Sequence, residues 1–301
     1  MKRLIVNADD FGLTHGVNRA IVACHERGIV SSATLMATSN CFDEAVALAA
    51  TMPKLSVGCH VVLVDGEPLQ PPNEVRSLLA PGTNRFYHSI SEVLGAVARG
   101  RFRADEAQAE AEAQFARLGQ AKVEISHFDS HKHTHMFPSI LKPLLQAASA
   151  HGVSAVRNPF EAPGVVTLNQ ARINKTLLIR KVETTLLRAF LYRRWSAAVQ
   201  AAGFTTTDGC MGVVTTGTLN EATLRAMLRR MPQGTWELVC HPGYNDAELA
   251  AVRTKLRESR EIEMNGLLAM TDRELLEQYG VELVPFRQKS QSTQTATYAP
   301  Q

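Results

Sequence analysis

The chain alternates between short apolar runs and longer stretches whose apolar residues recur at helical spacing. Strand-like runs lie at Leu4-Ile5-Val6, Ile29 to Ala37, Ser56 to Val64, Lys122 to Phe128, Ala155-Val156-Arg157, Gly203 to Thr206, Thr235 to Cys240 and Val281 to Pro285. A helix is predicted from Phe42 to Thr51, started by a cap at Ser39 or Asn40 and stopped by Pro53. The acidic, Ala-rich stretch from Asp105 to Leu118 reads as a solvated helix ending at Gly119, and Pro138 to His151 as a helix opened by proline and closed by Gly152. Strands separated by helices pair in parallel through right-handed crossovers, and about seven or eight of them close a barrel. The prediction is a single α/β domain over residues 1–287, while 288–301, rich in Gln, Ser and Thr without periodicity, reads as a disordered tail.

Chemistry gathers where the apolar runs end. Asn7-Ala8-Asp9-Asp10-Phe11-Gly12 places two adjacent carboxylates at the end of the first strand, the position from which α/β proteins build pockets. Neighbours in extended chain point to opposite sides, so the two acids are expected to differ in role, one for a metal and one for a proton. Taken alone, the pair reads better as an Asx-turn or a helix N-cap before Val17 to Val22. A lone His60, inside the run Leu55 to Leu63, likewise reads as a core histidine. The stretch Ser126 to His135 alters both readings, because it packs His127, His131, His133, His135 and Asp129 into ten residues. Imidazole and carboxylate together suit Zn²⁺ and leave coordination positions open for water and substrate.

Composition narrows the class. With 301 residues, 45% of them hydrophobic and 20% charged, the chain can bury a full core, and a net charge of +3 is too small to argue for nucleic acid. The five cysteines (Cys24, Cys41, Cys59, Cys210, Cys240) are odd in number and form no CxxC pair, which points to free thiols in a reducing cytoplasm. Cys59 and Cys240 each precede a site histidine, so strand alternation turns them to the opposite layer as packing residues. The first residues lack the apolar core of a signal peptide, and no run reaches the length of a membrane span.

NADDFG, the strand ending Gly58-Cys59-His60, HFDSHKHTHMFP and Cys240-His241-Pro242-Gly243 resemble, in order and spacing, the YdjC-like carbohydrate deacetylase family. The resemblance covers Lys2 to about Pro285 and implies a distorted (β/α) barrel that removes the N-acetyl group of an amino sugar. It implies one divalent ion, zinc or magnesium, on Asp10, His60 and His131, with Asp9 as general base and His241 as general acid. His127, Asp129, His133, His135 and Arg157 are then left to orient ligands or to contact sugar. His131 and His135 are four apart, and in a helical turn both would reach one ion. Arg157 reads either as a contact to a sugar hydroxyl or carboxylate, or as a surface ion pair. A metal-dependent phosphoesterase or sugar isomerase on the same barrel would want a second metal or a phosphate-binding loop, and neither is visible.

One segment departs from the alternation. Within a stretch from 165 to 203, Arg172 to Trp195 carries seven Lys or Arg against one Glu, with Leu178, Val182, Leu186 and Phe190 at helical spacing. Read as an ordinary barrel helix, it would turn that apolar stripe to the core. Read as a membrane-surface helix, it would contact lipid through Ile173 to Leu177 and Phe190 to Trp195. The resemblance favours the second reading, since the chain is more similar to the hopanoid-biosynthesis branch than to the chitooligosaccharide branch. A glycolipid acceptor at the inner face of the membrane follows from it, a soluble chitooligosaccharide is the alternative, and a homodimer is left open.

Overall fold

A computed structural model describes residues 1–166, 175–270 and 273–286 of the protein. Seven strands, β1 (Lys2–Phe11), β2 (Ser32–Leu35), β3 (Ser56–Val61), β4 (Ile125–Ser130), β5 (Gly209–Met211), β6 (Gly234–Cys240) and β7 (Val281–Leu283), form one sheet. The first half of the chain carries helices α1 (His15–Arg27), α2 (Phe42–Thr51), α3 (Ile90–Ala98), α4 (Ala104–Gln120) and α5 (Pro138–Ala150). The second half carries α6 (Lys175–Ala201), α7 (Glu221–Arg230), α8 (Ala247–Ala251), α9 (Glu258–Leu268) and α10 (Arg273–Gln278).

The strands run in the order β4-β3-β2-β1-β6-β5, every pairing parallel, and β7 joins β1 along Lys2 to Leu4. β1 is the central strand, and its Leu4, Val6 and Ala8 are fully buried, as a strand covered on both faces requires. Each fully buried Leu or Val contributes about 1.5–3 kcal/mol, so the apolar run that marks the strand in the sequence also holds it in place. Single parallel bridges, Phe128 to Val156, Ala155 to Thr205 and Glu161 to Cys210, span the gap from β4 to β5. The sheet therefore curls into a distorted (β/α) barrel, as predicted.

Several local expectations are corrected. Ala155 to Arg157 and Gly203 to Thr206 form only isolated bridges, and the strand in that region is Gly209–Met211, too short and Gly-led to show as an apolar run. The run Ile29 to Ala37 narrows to Ser32–Leu35, because its ends leave the ladder. Helix α2 is capped by Cys41 without a side-chain bond, in place of Ser39 or Asn40. Helix α4 is half buried: Ala107, Ala111, Phe115 and Leu118 face the core, and buried Glu110 and Gln114 bind the backbone of Leu69, Gln70 and Val62. The tail 288–301 and the residues Arg172 and Ile173 lie outside the described residues.

Candidate metal centre and its charged surround

The C-terminal ends of β1, β3 and β4 bring Asp10, His60 and His131 together. Asp10 Oδ1 lies 3.5 Å from His60 Nε2 and 3.3 Å from His131 Nδ1, and the two imidazole nitrogens are 3.3 Å apart. One local feature makes this convergence. The β1–β2 register shifts between Ala8 and Phe11, and Asp10 takes a left-handed φ of 64°, rare for a residue with a side chain. The chain is no longer extended there, so Asp9 and Asp10 do not point apart as the sequence implied: each places an oxygen within 4.8 Å of a ring nitrogen of His60. Nor do they cap the first helix, which is capped by Thr14 through a bond from the Val17 N–H.

Asp10 Oδ1 is buried and has no hydrogen-bond partner, while Oδ2 accepts from Arg260 at 2.6 Å. Burial pushes the Asp10 carboxyl up, but the Arg260 charge and the His131 contact outweigh it and hold it well below the usual range. An orphaned carboxylate oxygen facing two ring nitrogens, in a set of one carboxylate and two imidazoles, fits a divalent cation with open coordination positions. The far side of His60 is fixed as metal-bound histidines are: its Nδ1 lies 2.7 Å from Asp129 Oδ1 and 3.2 Å from Thr34 Oγ1. Burial lowers the His60 pKa, and Asp129 with Asp9 and Asp10 overrides this and raises it to about 9.

Asp9, His60 and Asp129 also cluster closely enough to hold an ion, but a cation is already there. The Arg157 guanidinium, fully buried, forks onto both Asp9 oxygens at 2.8 and 2.6 Å and reaches Asp129 at 2.6 Å and Glu237 at 2.6 Å. Such bidentate geometry suits arginine. Arg157 is therefore no surface ion pair. Burial would raise the Asp9 pKa, but the Arg157 charge and hydrogen bonds hold it far below the usual carboxylate range, so Asp9 stays ionised. Glu237, the third acid on that guanidinium, is pushed by burial up to about 8.

His241, at the end of β6, stands across Asp9, with Nε2 3.8 Å from Asp9 Oδ2. Its backbone N–H donates to Glu263 at 2.6 Å, and its Nδ1 is 3.8 Å from the same carboxylate. Burial would lower its pKa, and Glu263, Asp9 and Asp10 raise it, which favours the protonated ring.

The remaining predicted histidines part ways. His127 sits deeper, stacked on Phe286 at 3.8 Å and lying across Gly58, where any Cβ would come within 2.5 Å of the ring. His135 does not join His131 on one ion, because Lys132 and His133 take φ of 54° and 55° and break the helical turn that the four-residue spacing assumed. Its Nδ1 instead lies 2.7 Å from Ser130 Oγ. His133 keeps an unpartnered, buried Nδ1, and burial with the Arg157 charge lowers its pKa to about 3. Arg260, Glu263, Glu237 and Thr34 escaped the sequence reading. None sits in a dense motif, and only the fold carries Arg260 to Asp10.

Helix α6 corrects a further expectation. Val182, Leu186 and Phe190 are 47, 51 and 74% exposed, so the stripe faces away from the core. Trp195 is buried, donating its Nε1–H to the His135 carbonyl, and so anchors the helix instead of meeting lipid. Among the described residues, no helix is long and apolar enough to cross a membrane.

The chain is 26% identical over 280 residues to a carbohydrate deacetylase of Thermoanaerobacter pseudethanolicus, covering 92% of this chain and 94% of that one. It is 29% identical over 294 residues to a chitooligosaccharide deacetylase of Serratia marcescens, covering 95 and 98%. A carbohydrate deacetylase of Brevibacillus brevis is 41% identical over 158 residues, and that match spans 60% of its length. The fold is similar to the crystal structure of a putative cellobiose-phosphate cleavage protein of Enterococcus faecalis, with a TM-score of 0.72 at 24% identity over 95% of this chain and 97% of that one. The pattern that defines YdjC-like proteins matches residues 3–278, which include every residue of the candidate centre, and the chain belongs to that family.

Proposed function

We propose that the protein is a metal-dependent N-deacetylase of amino sugars, a reading supported by its likeness to carbohydrate and chitooligosaccharide deacetylases. The observation that carries this reading is the orphaned Asp10 oxygen facing His60 and His131, with an ionised Asp9 on one side and His241 beyond it. Asp10, His60 and His131 would hold one zinc or magnesium ion, which when bound acidifies water and polarises the acetyl carbonyl.

The chain's own groups do the rest. Asp9 accepts the proton of the attacking water; Arg157 keeps it ionised and aimed, while lowering its basicity. His241, biased toward its protonated form by Glu263, delivers a proton to the departing amide nitrogen. Asp129 fixes the His60 ring so that Nε2 faces the centre. All five thiols are buried and unpaired, in keeping with a reducing cytoplasm.

Acetate release from N-acetylated chitooligosaccharides tests the reading. Turnover should stop with a chelator, return with added Zn²⁺ or Mg²⁺, and be lost together with bound metal in His131→Ala. A variant His131→Ala that keeps wild-type metal content would overturn the ligand set.

A lipid-anchored acceptor is favoured by one observation. Ile179, Val182, Leu186 and Phe190 are all exposed and fall within about 80° of arc at 3.6 residues per turn. By the same spacing Lys175 and Arg193, about five turns apart, fall within that arc, one beyond each end of the stripe along the helix axis. An apolar stripe ended by cations matches an anionic membrane surface, and a hopanoid-linked N-acetylglucosamine is the acceptor the resemblance names.

A further inference from the structure

A second cluster of metal-ligating side chains lies outside the centre just described. His15 begins α1, Cys41 caps α2, Glu44 lies in the first turn of α2 and Glu248 is on α8. These elements follow β1, β2 and β6, so the cluster sits at the strand end that carries Asp10 and His241. Ligand atoms of His15, Cys41 and Glu248 all lie within 4.8 Å of one another. The Cys41 thiol donates to Glu248 Oε1 at 3.3 Å, and His15 Nδ1 is 2.8 Å from Glu44 Oε2. The other Glu248 oxygen accepts the His15 N–H at 3.0 Å.

We infer that His15, Cys41 and Glu248, with Glu44 as a fourth donor, form a second metal site for a thiophilic divalent ion such as Zn²⁺, tying the loops after β1, β2 and β6 together. One sulfur, one imidazole and carboxylate oxygens match the ligand preferences of zinc and suit magnesium poorly. Cys41 is buried while His15 and Glu248 are exposed, so an ion can enter from solvent and meet the sulfur from the outside. Binding replaces the thiol proton: the S–H bond breaks, a sulfur–metal bond forms, and the proton leaves to water. Burial and the Glu248 hydrogen bond raise the free thiol to about 11, so without an ion it stays protonated and unreactive.

The cluster is wired to the first centre. Asn18, buried beneath it, donates to Glu44 at 2.6 Å and to the Cys41 carbonyl at 3.3 Å, and accepts the Gly12 N–H at 2.7 Å. Gly12 is two residues from Asp10. An ion on the rim would thus steady the turn that gives Asp10 its left-handed backbone, without touching substrate.

Cobalt separates the two centres, because Asp10, His60 and His131 contain no sulfur. Titrating the full chain with Co²⁺ should produce a near-ultraviolet thiolate-to-cobalt charge-transfer band that is complete by two equivalents, one for each centre. The band should vanish in Cys41→Ser and weaken in His15→Asn, a change at an exposed side chain that leaves folding intact. It should persist in His131→Ala. Zn²⁺ should raise the melting midpoint of the wild type and of His131→Ala by a few degrees, and that of Cys41→Ser by less. A wild type without the band, or a band that survives Cys41→Ser, would overturn the second site. Acetate release reports on the deacetylase reading separately, so either can fail alone.

Discussion

The strand-end pocket and helix α6 treat charge in opposite ways. In the pocket, Arg157 is fully buried and bound to three carboxylates, and Arg260 is buried against Asp10, so each cation has a fixed place and fixed partners. On α6, the cations stand in or near solvent around an exposed apolar stripe. Buried charges survive only when paired in good geometry, so the pocket's arrangement is rigid and intolerant of change. Surface charges are screened and replaceable, so whatever the helix does must come from its sum and not from one residue.

The sharpest way to break this comparison is Arg157→Leu. Removing the guanidinium leaves Asp9, Asp129 and Glu237 facing one another in the barrel interior, and breaking a buried pair costs roughly 3–5 kcal/mol. Chemical denaturation should show at least that loss. Arg194→Leu, at an exposed position of α6, should stay within about 0.5 kcal/mol of wild type. Similar losses in both would mean that the pocket's ion pairs are no tighter than surface ones.

Next in size is Asp9→Asn. The amide keeps the shape and accepts one Arg157 hydrogen bond, but it cannot take a proton. Turnover should fall roughly 10²–10⁴-fold, the usual contribution of a positioned base. Bound metal, measured on the same preparation, should be unchanged if the ion is held as proposed by Asp10, His60 and His131, whose ligand atoms cluster without Asp9. Loss of metal in Asp9→Asn would mean that the two carboxylates share the ion.

The two regions were also unequally legible from sequence. Asp9, Asp10, His60, His131 and His241 end strands, and strand ends are marked by where apolar runs stop, so the converging residues could be named before the fold was known. Their orientation could not. That both acids meet His60 depends on one left-handed residue, and that His135 stays out of the Asp10, His60 and His131 cluster depends on two more, at Lys132 and His133. Backbone of this kind leaves no trace in hydrophobic spacing. Arg260 and Glu263 were invisible for another reason, since they lie on α9 among ordinary helix-surface residues and act only through contacts distant in sequence. On α6 the spacing predicted the stripe, but spacing alone does not say which face the rest of the barrel leaves uncovered.

Glu161 links the regions, and its pH dependence sharpens the contrast. It is buried between β5 and α6, accepts the N–H groups of Gly212 and Val214, and feels Lys181 from the helix. Burial outweighs these and raises its pKa from 4.5 to about 7. The folded state therefore prefers the protonated acid, and the stability this contributes is complete below about pH 4.5 and lost as pH rises through about 7. Glu161→Gln cannot ionise and escapes that loss. Its stability relative to wild type should improve by on the order of 3 kcal/mol across this window. Parallel pH profiles for the two proteins would show that Lys181 and the backbone donors already hold Glu161 ionised.

The smallest effect on folding is expected on α6 itself, and there a small effect is the informative one. Phe190 is 74% exposed and Leu186 51%, so Leu186→Ser and Phe190→Ser remove little buried surface and should each change stability by no more than about 0.5 kcal/mol. Membrane binding would respond far more, since inserting such side chains contributes about 1.5–3 kcal/mol each and a cation near an anionic surface about 1 kcal/mol. The double variant, and separately Arg193→Glu with Arg194→Glu, should therefore lose co-sedimentation with phosphatidylserine-containing vesicles while hydrolysing a soluble N-acetylated sugar at the wild-type rate. Arg180 and Arg188 are poor choices for this test, because Arg180 bonds the Thr216 carbonyl and Arg188 stacks on Tyr192, so both help to seat the helix. Wild-type protein that ignores the vesicles but sediments as a dimer, reverting to monomer in the double variant, would assign the stripe to a second copy of the chain. The lipid-anchored acceptor would then fall, and the strand-end chemistry would stand unchanged.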